Sequence, residues 1–188
     1  MRILALDAST KCGWALFENG AYARSGALPQ IKVEDFNVNA EPNHSRFYPY
    51  NVVDAARQVA VKVGNLVGET GPDVVVVENT VRGRNRNTQR LLEFCHLEIL
   101  RMLRNAVPVV YMDPSEWRKI VDMRLSVADK VNNKAVSAGK KRGRIKQKHL
   151  SVRMVNELYG LDLILKDNDQ ADAILLGLAY VTRSQKTK

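Results

Sequence analysis

The chain alternates between short unbroken apolar runs and longer segments whose apolar residues recur every three or four positions. The first run, Ile3-Leu4-Ala5-Leu6, ends on Asp7-Ala8-Ser9-Thr10. A run this short, bounded by small polar residues, predicts a buried strand rather than a helix. Strands are expected near 2–8, 13–18 and 21–27, the last two joined by Asn19-Gly20, a strong short hairpin signal. Over 51–69, Val52, Val53, Ala56, Val59, Ala60, Val63, Leu66 and Val67 keep helical spacing, and Gly71-Pro72 stops them. Val74 to Val77 are four successive valines with no alternation, which predicts a strand buried on both faces and ending on Glu78. A helix follows near 88–105, with Leu91, Leu92, Cys95, Ile99 and Leu103 apolar, then a strand over 107–112. Asp113-Pro114-Ser115-Glu116 opens a short helix, with Asp113 expected to cap and Glu116 to reach back as in a capping box. Trp117 reads as a core or interface anchor. Helices near 147–158, stopped by Gly160, and from Asp167 or Asn168 to about 183 complete the chain.

Two stretches break the pattern. Residues 29–50 hold Pro29, Pro42 and Pro49 and no periodicity, so a long mobile loop is expected there, pinned by aromatics such as Phe47, Tyr48 and Tyr50. Residues 122–147 also lose apolar periodicity and are expected as a mobile basic segment. The remaining elements predict one α/β domain over 1–188, with three antiparallel N-terminal strands, further parallel strands, and flanking helices. No GxGxxG follows the first strand, which excludes a dinucleotide-binding opening.

Composition changes this picture little. The 188 residues are 45% hydrophobic, ordinary for a soluble globular protein, and contain no apolar stretch long enough for a bilayer. Asp7 interrupts the N-terminal apolar run, so no secretory signal is expected. Cys12 and Cys95, without CxxC spacing, argue against a disulfide framework and a thiolate zinc site, and for a cytoplasmic setting.

Charge changes it more. The net charge of +9 is concentrated in about one fifth of the chain. Residues 1–78 carry 7 Lys/Arg against 9 Asp/Glu, whereas residues 118–153 carry 12 against 2. That imbalance favours a polyanion partner, nucleic acid foremost, over a merely solvated basic surface. Arg82, Arg84 and Arg86, directly after the strand ending at Glu78, are candidate DNA contacts, as are Lys140, Lys141, Arg142, Arg144 and Lys146.

The candidate chemistry lies in the acids. Asp7 and Glu78 each end an apolar strand, the edge at which open α/β sheets gather their ligands. Asp169 and Asp172 are three residues apart on one helix face, and small Ala171 and Ala173 let that helix pack closely on a sheet. If the two strands are neighbours, four carboxylates converge. Their mutual repulsion raises proton affinity, and divalent cations relieve it. All-oxygen ligands select Mg²⁺ or Mn²⁺, and a pair of such ions hydrolyses phosphodiesters.

The Asp7 strand with its hairpin, the valine run ending in Glu78 and the Asp169-x-x-Asp172-Ala173 opening of the last helix resemble the RuvC-type Holliday junction resolvases, of the ribonuclease H-like superfamily. The resemblance implies a ribonuclease H-like mixed sheet and a crossover junction endodeoxyribonuclease that nicks opposing strands of four-way junctions, with other branched DNA as a further candidate substrate. It implies two Mg²⁺ per site, with Mn²⁺ able to substitute, held by Asp7, Glu78, Asp169 and Asp172. It also implies an active-site lysine, Lys148 with Lys146 as the alternative. A homodimer through the helix at 88–105 is implied, with Leu92, His96 and Leu103 partly at the interface. Well-known bacterial members carry a base-probing aromatic where this chain has Val81, which removes the expectation of a cognate cutting sequence; the long 29–50 and 122–147 stretches resemble divergent phage members. Competing readings are a nuclease on flaps or RNA–DNA hybrids, a catalytically inactive junction-binding protein, and a sugar-kinase or actin-like ATPase. The last needs two such domains and a second phosphate loop, for which this chain is too short.

Overall fold

The structure is a computed structural model and describes residues 1–32, 48–80, 86–139 and 143–186. Among these residues five strands form one mixed sheet: β1 (Arg2–Asp7), β2 (Gly13–Glu18), β3 (Ala21–Ala27), β4 (Val74–Glu78) and β5 (Val109–Met112), in the order β3-β2-β1-β4-β5. The first three are antiparallel, and β4 and β5 continue parallel to β1. The β2–β3 hairpin turns on Asn19 and Gly20, at φ 52° and 84°. Two positive φ values are what the Asn-Gly pair predicts for a type I′ turn.

Among the described residues six helices cover the sheet: α1 (Tyr50–Thr70), α2 (Arg86–Leu103), α3 (Pro114–Ile120), α4 (Val127–Ser137), α5 (Gln147–Tyr159) and α6 (Asn168–Lys186). Strand alternation splits the core in two. Leu4, Leu6, Val75 and Val77 meet α1 and α2 on one face. Ile3, Ala5, Val74 and Val76 meet α3, α5 and α6 on the other. The central strands are buried on both faces, as their unbroken apolar runs predict. Among the described residues no helix is long and apolar enough to cross a membrane.

Two expectations need correction. The basic stretch 122–147 is not uniformly irregular, because residues 127–137 form α4. A capping box starts that helix, with Ser126 Oγ accepting from the Asp129 N–H and Asp129 accepting from the Ser126 N–H. Asp129 is then held by both terminal nitrogens of Arg153 on α5, at 3.2 and 2.6 Å. Asn133 ties α4 to Ile145 through both of its backbone groups. Val127 and Val131 are exposed, so polar anchors hold α4, and no apolar stripe announces it. The second correction concerns α3. Asp113 stands at its N-cap position, but its side chain makes no cap and accepts instead from Asn79 Nδ2 at 2.8 Å. Glu116 binds Arg183 at 2.8 Å rather than reaching back. Most of the 29–50 loop, including Pro42 and Phe47, lies outside the described residues.

Candidate active site

The register builds the site. Leu6 pairs with Val77, so the next residues, Asp7 and Glu78, end neighbouring parallel strands side by side. Both fall on the α6 face by alternation, since Ala5 and Val76 do. Gly13 pairs with Asp7 on the other side. A Cβ on Gly13 would stand 2.0 Å from the Asp169 carbonyl oxygen, so the start of α6 rests directly on β2. Ala171 and Ala173 are fully buried, which lets the first turn of α6 carry Asp169 and Asp172 to the strand ends.

The acids respond to one another. Burial pushes the Asp7 carboxyl well above the usual carboxylate range, and the charges of Glu78, Asp172 and Asp169 push it further, against the opposing pull of Arg118. Glu78 is raised by burial and by Asp172, with Arg118 and Trp117 opposing. Burial raises Asp172 while Ser151 and Arg118 lower it. Burial raises Asp169 while Lys11 and Asn168 oppose, with a smaller contribution from Lys148.

Each acid except Asp7 is also gripped. Trp117 Nε1 donates to Glu78 Oε2 at 2.8 Å, and Arg118 Nη2 lies 3.8 Å from Glu78 Oε1. Ser151 Oγ donates to Asp172 Oδ1. Asn168 Nδ2 donates to Asp169 Oδ1 at 2.6 Å. Lys11 Nζ lies 3.7 Å from Asp169 Oδ2 and donates to the Lys166 carbonyl. Asp7 accepts no hydrogen bond among the described residues. It opens with Glu78 and Asp169 onto a cleft of about 200 Å³, whose far wall is Leu92 and His96 of α2. His96 is buried there, its ring stacked on Tyr111 at 5.5 Å and its Nδ1 3.3 Å from the Tyr111 hydroxyl. Burial lowers its pKa, which favours the neutral imidazole.

The all-oxygen donor set has the chemistry of a Mg²⁺ or Mn²⁺ site. Among the described residues, however, no three acid, histidine or cysteine side chains form a ready cage for an ion. Trp117, Ser151 and Asn168 each hold one oxygen of Glu78, Asp172 and Asp169 respectively.

The sequence-predicted acids therefore assemble at one sheet edge. The other candidates do not all join them. Lys148 and Lys146 are exposed, and the cation in contact with Asp169 is Lys11. Arg144 is exposed. Arg82, Arg84, Lys140, Lys141 and Arg142, the side chain of Arg86, and Val81 lie outside the described residues. Within this one chain His96 and Leu103 are core and Leu92 lines the cleft. Sequence reasoning missed Lys11, Arg118 and Ser151, and gave Trp117 and His96 core or interface roles only. Of these, only the polar bend at Ser9-Thr10-Lys11 after Asp7 offered a local signal.

No protein-family model matches the sequence, and no curated protein matches it. Solved structures do. The chain is similar to Thermus thermophilus RuvC in complex with a Holliday junction substrate, at TM-score 0.63 and 13% identity over 99% of this chain and 96% of that one. It is similar to the yeast mitochondrial Holliday junction resolvase Ydc2, at TM-score 0.56 and 10% identity over 98% and 79%. It is also similar to the fowlpox virus resolvase in complex with Holliday junction DNA, at TM-score 0.51 and 14% identity over 100% of both chains. The fold is therefore the ribonuclease H-like fold of these resolvases, as the motif resemblance implies.

Proposed function

We propose that the chain is a metal-dependent, structure-specific DNA endonuclease that nicks opposing strands of four-way junctions. The observation that carries this reading is the convergence of Asp7, Glu78, Asp169 and Asp172 at the carboxyl edge of a sheet whose fold is shared with junction resolvases. The strong basic surplus of the chain supports a nucleic acid substrate.

Asp7, Glu78, Asp169 and Asp172 would hold two Mg²⁺, or Mn²⁺ in their place. Bound there, the ions supply an activated water and stabilise the leaving oxygen of a phosphodiester. The chain's own residues do the rest. Trp117 and Arg118 fix the Glu78 carboxylate, Ser151 fixes Asp172, and Lys11 holds Asp169 while adding positive charge beside the scissile phosphate. Lys148 adds longer-range positive potential at the same acid. Two symmetric nicks require two sites related by a two-fold axis, so the proposed functional unit is a homodimer. Leu97, Leu100 and Met102 of α2 are exposed at 49%, 36% and 46%, which supports pairing through that helix.

The test compares four-way junction, flap, linear duplex and RNA–DNA hybrid, with and without Mg²⁺. Paired nicks in the four-way junction are expected, lost with chelator. Asp7→Asn is expected to reduce nicking by roughly 10²-fold or more while junction binding persists. Nicking that survives in Asp7→Asn removes the acid cluster from the reaction, and preference for hybrid or flap replaces the junction reading. Binding without any nicking by the wild-type protein indicates a non-catalytic junction binder.

A further inference from the structure

A second cleft, of about 860 Å³, lies beside the acid site, bounded by α3, the turn after it and the first residue of α5. Arg118, Lys119 and Arg124 stand in its wall, with Ser115 and Gln147 as neutral polar groups. Its one acid, Asp113, is already engaged by Asn79. Lys119 is exposed and enters no ion pair among the described residues, and Arg124 pairs only with exposed Asp122. Arg118 links this cleft to the acid site. Its guanidinium lies 4.8 Å over the Trp117 ring and 3.8 Å from Glu78. Arg118 Nε is the one buried side-chain nitrogen or oxygen without a hydrogen-bond partner among the described residues. That nitrogen is itself sealed from solvent, so the part of the 27% exposed Arg118 side chain that can meet an external acceptor is its outer Nη groups. A partly exposed guanidinium beside two further cations in one cleft is suited to phosphate.

We infer that this cleft carries the sugar-phosphate backbone of the DNA strand entering the acid site, with Arg118 at the boundary contacting the phosphate next to the scissile one. The inference rests on the nuclease reading above and adds a strand path made of residues outside the acid cluster. It also explains how a strongly negative site admits a polyanion: the strand is held by α3 before it reaches the carboxylates.

The experiment measures junction binding across a salt series without divalent ions, for wild type, Lys119→Ala/Arg124→Ala and Arg57→Ala/Lys62→Ala. The control pair removes two cations from α1, across the sheet. Losing two phosphate contacts is expected to lower the salt slope of log affinity by about two in the cleft pair and to leave it unchanged in the control. An unchanged slope in the cleft pair, or an equal fall in the control, overturns the inference. A neutral methylphosphonate walked along the linkages around the cut then locates Arg118. One linkage adjacent to the cut is expected to weaken wild-type binding and leave Arg118→Gln binding unaffected; equal losses in both proteins overturn that assignment. If wild type binds the junction but nicks none of the substrates with Mg²⁺, the nuclease reading falls and this inference with it. If wild type prefers the junction and the cleft pair keeps its slope, only the strand path falls.

Discussion

Trp117 is fully buried, yet its indole N–H is aimed at the Glu78 carboxylate. It therefore serves packing and positioning together. Trp117→Phe keeps most of the ring and deletes the donor, so a stability loss of about 1 kcal/mol is expected, with single-turnover nicking slowed about tenfold. Melting curves and junction cleavage at saturating protein check the two halves. Lys11 offers a sharper contrast. It neutralises part of the charge that divalent ions would otherwise meet at Asp169. In Lys11→Met, Mn²⁺ is expected to bind several-fold more tightly, read from the metal dependence of the melting temperature, while nicking falls; Lys11→Arg restores both. A purely structural lysine would weaken metal binding and nicking together. The four acids were legible because strand ends and a helix first turn are local features. Lys11, Ser151, Trp117 and Arg118 were not, because each acquires its role from a partner far away in the chain. Asp113 was misread for the same reason: Asn79, across the sheet edge, competes successfully for its carboxylate.

At the level of elements, the site depends on how closely α6 approaches the sheet. Two glycines set that approach at different distances from the acids. A Cβ at Gly13 meets the Asp169 carbonyl oxygen at 2.0 Å, while a Cβ at Gly177 meets the Phe17 ring at 2.4 Å. Overpacking of this kind costs about 1–3 kcal/mol. Gly13→Ala and Gly177→Ala are therefore both expected to lower the melting temperature by comparable amounts. Only Gly13→Ala, whose clash lies against Asp169 itself, is expected to lower nicking more than tenfold at a temperature where both remain folded. Equal activity in the two variants would break the link between the β2–α6 contact and the acids. The strands and the long helices were readable because burial on one or two faces writes itself into apolar periodicity. Helix α4 was not readable, since Asp129 is its only buried residue and its anchors are Arg153, Asn133 and a capping box. A helix held by polar bonds leaves no stripe in the sequence.

The whole molecule carries two opposed charge regions, a buried acid cluster and a basic surplus, and their balance is expected to appear as a dependence of stability on pH. Burial raises all four acids above their ordinary values, and repulsion within the cluster adds to it at Asp7, Glu78 and Asp172. Between the ordinary carboxylate values and these raised ones, the folded protein holds more protons than the unfolded chain. Stability is therefore full below the ordinary values and declines as pH rises through the raised ones. The Asp129–Arg153 pair works in the other direction and in another window. Its carboxyl is held well below the usual range by Arg153, so its contribution is present at neutral pH and lost only on strong acidification. The net charge of +9 also grows on acidification and opposes folding there, so the wild-type curve alone cannot isolate the cluster. The difference from Asp7→Asn can, because that substitution barely changes the net charge. With chelator present, wild type is expected to lose stability as pH rises above the ordinary carboxylate values, and Asp7→Asn to lose distinctly less. Once pH has passed the raised values, the variant is expected to melt higher by about 2–4 °C, the shift that 1 kcal/mol produces at this chain length. Millimolar Mg²⁺ or Mn²⁺ is expected to raise the wild type toward the variant, since ions that bind only the folded form stabilise it. Thermal melts across pH, with chelator and with metal, read all three differences. Parallel curves for wild type and Asp7→Asn would mean that the acids do not strain the fold, leaving divalent ions no repulsion to relieve.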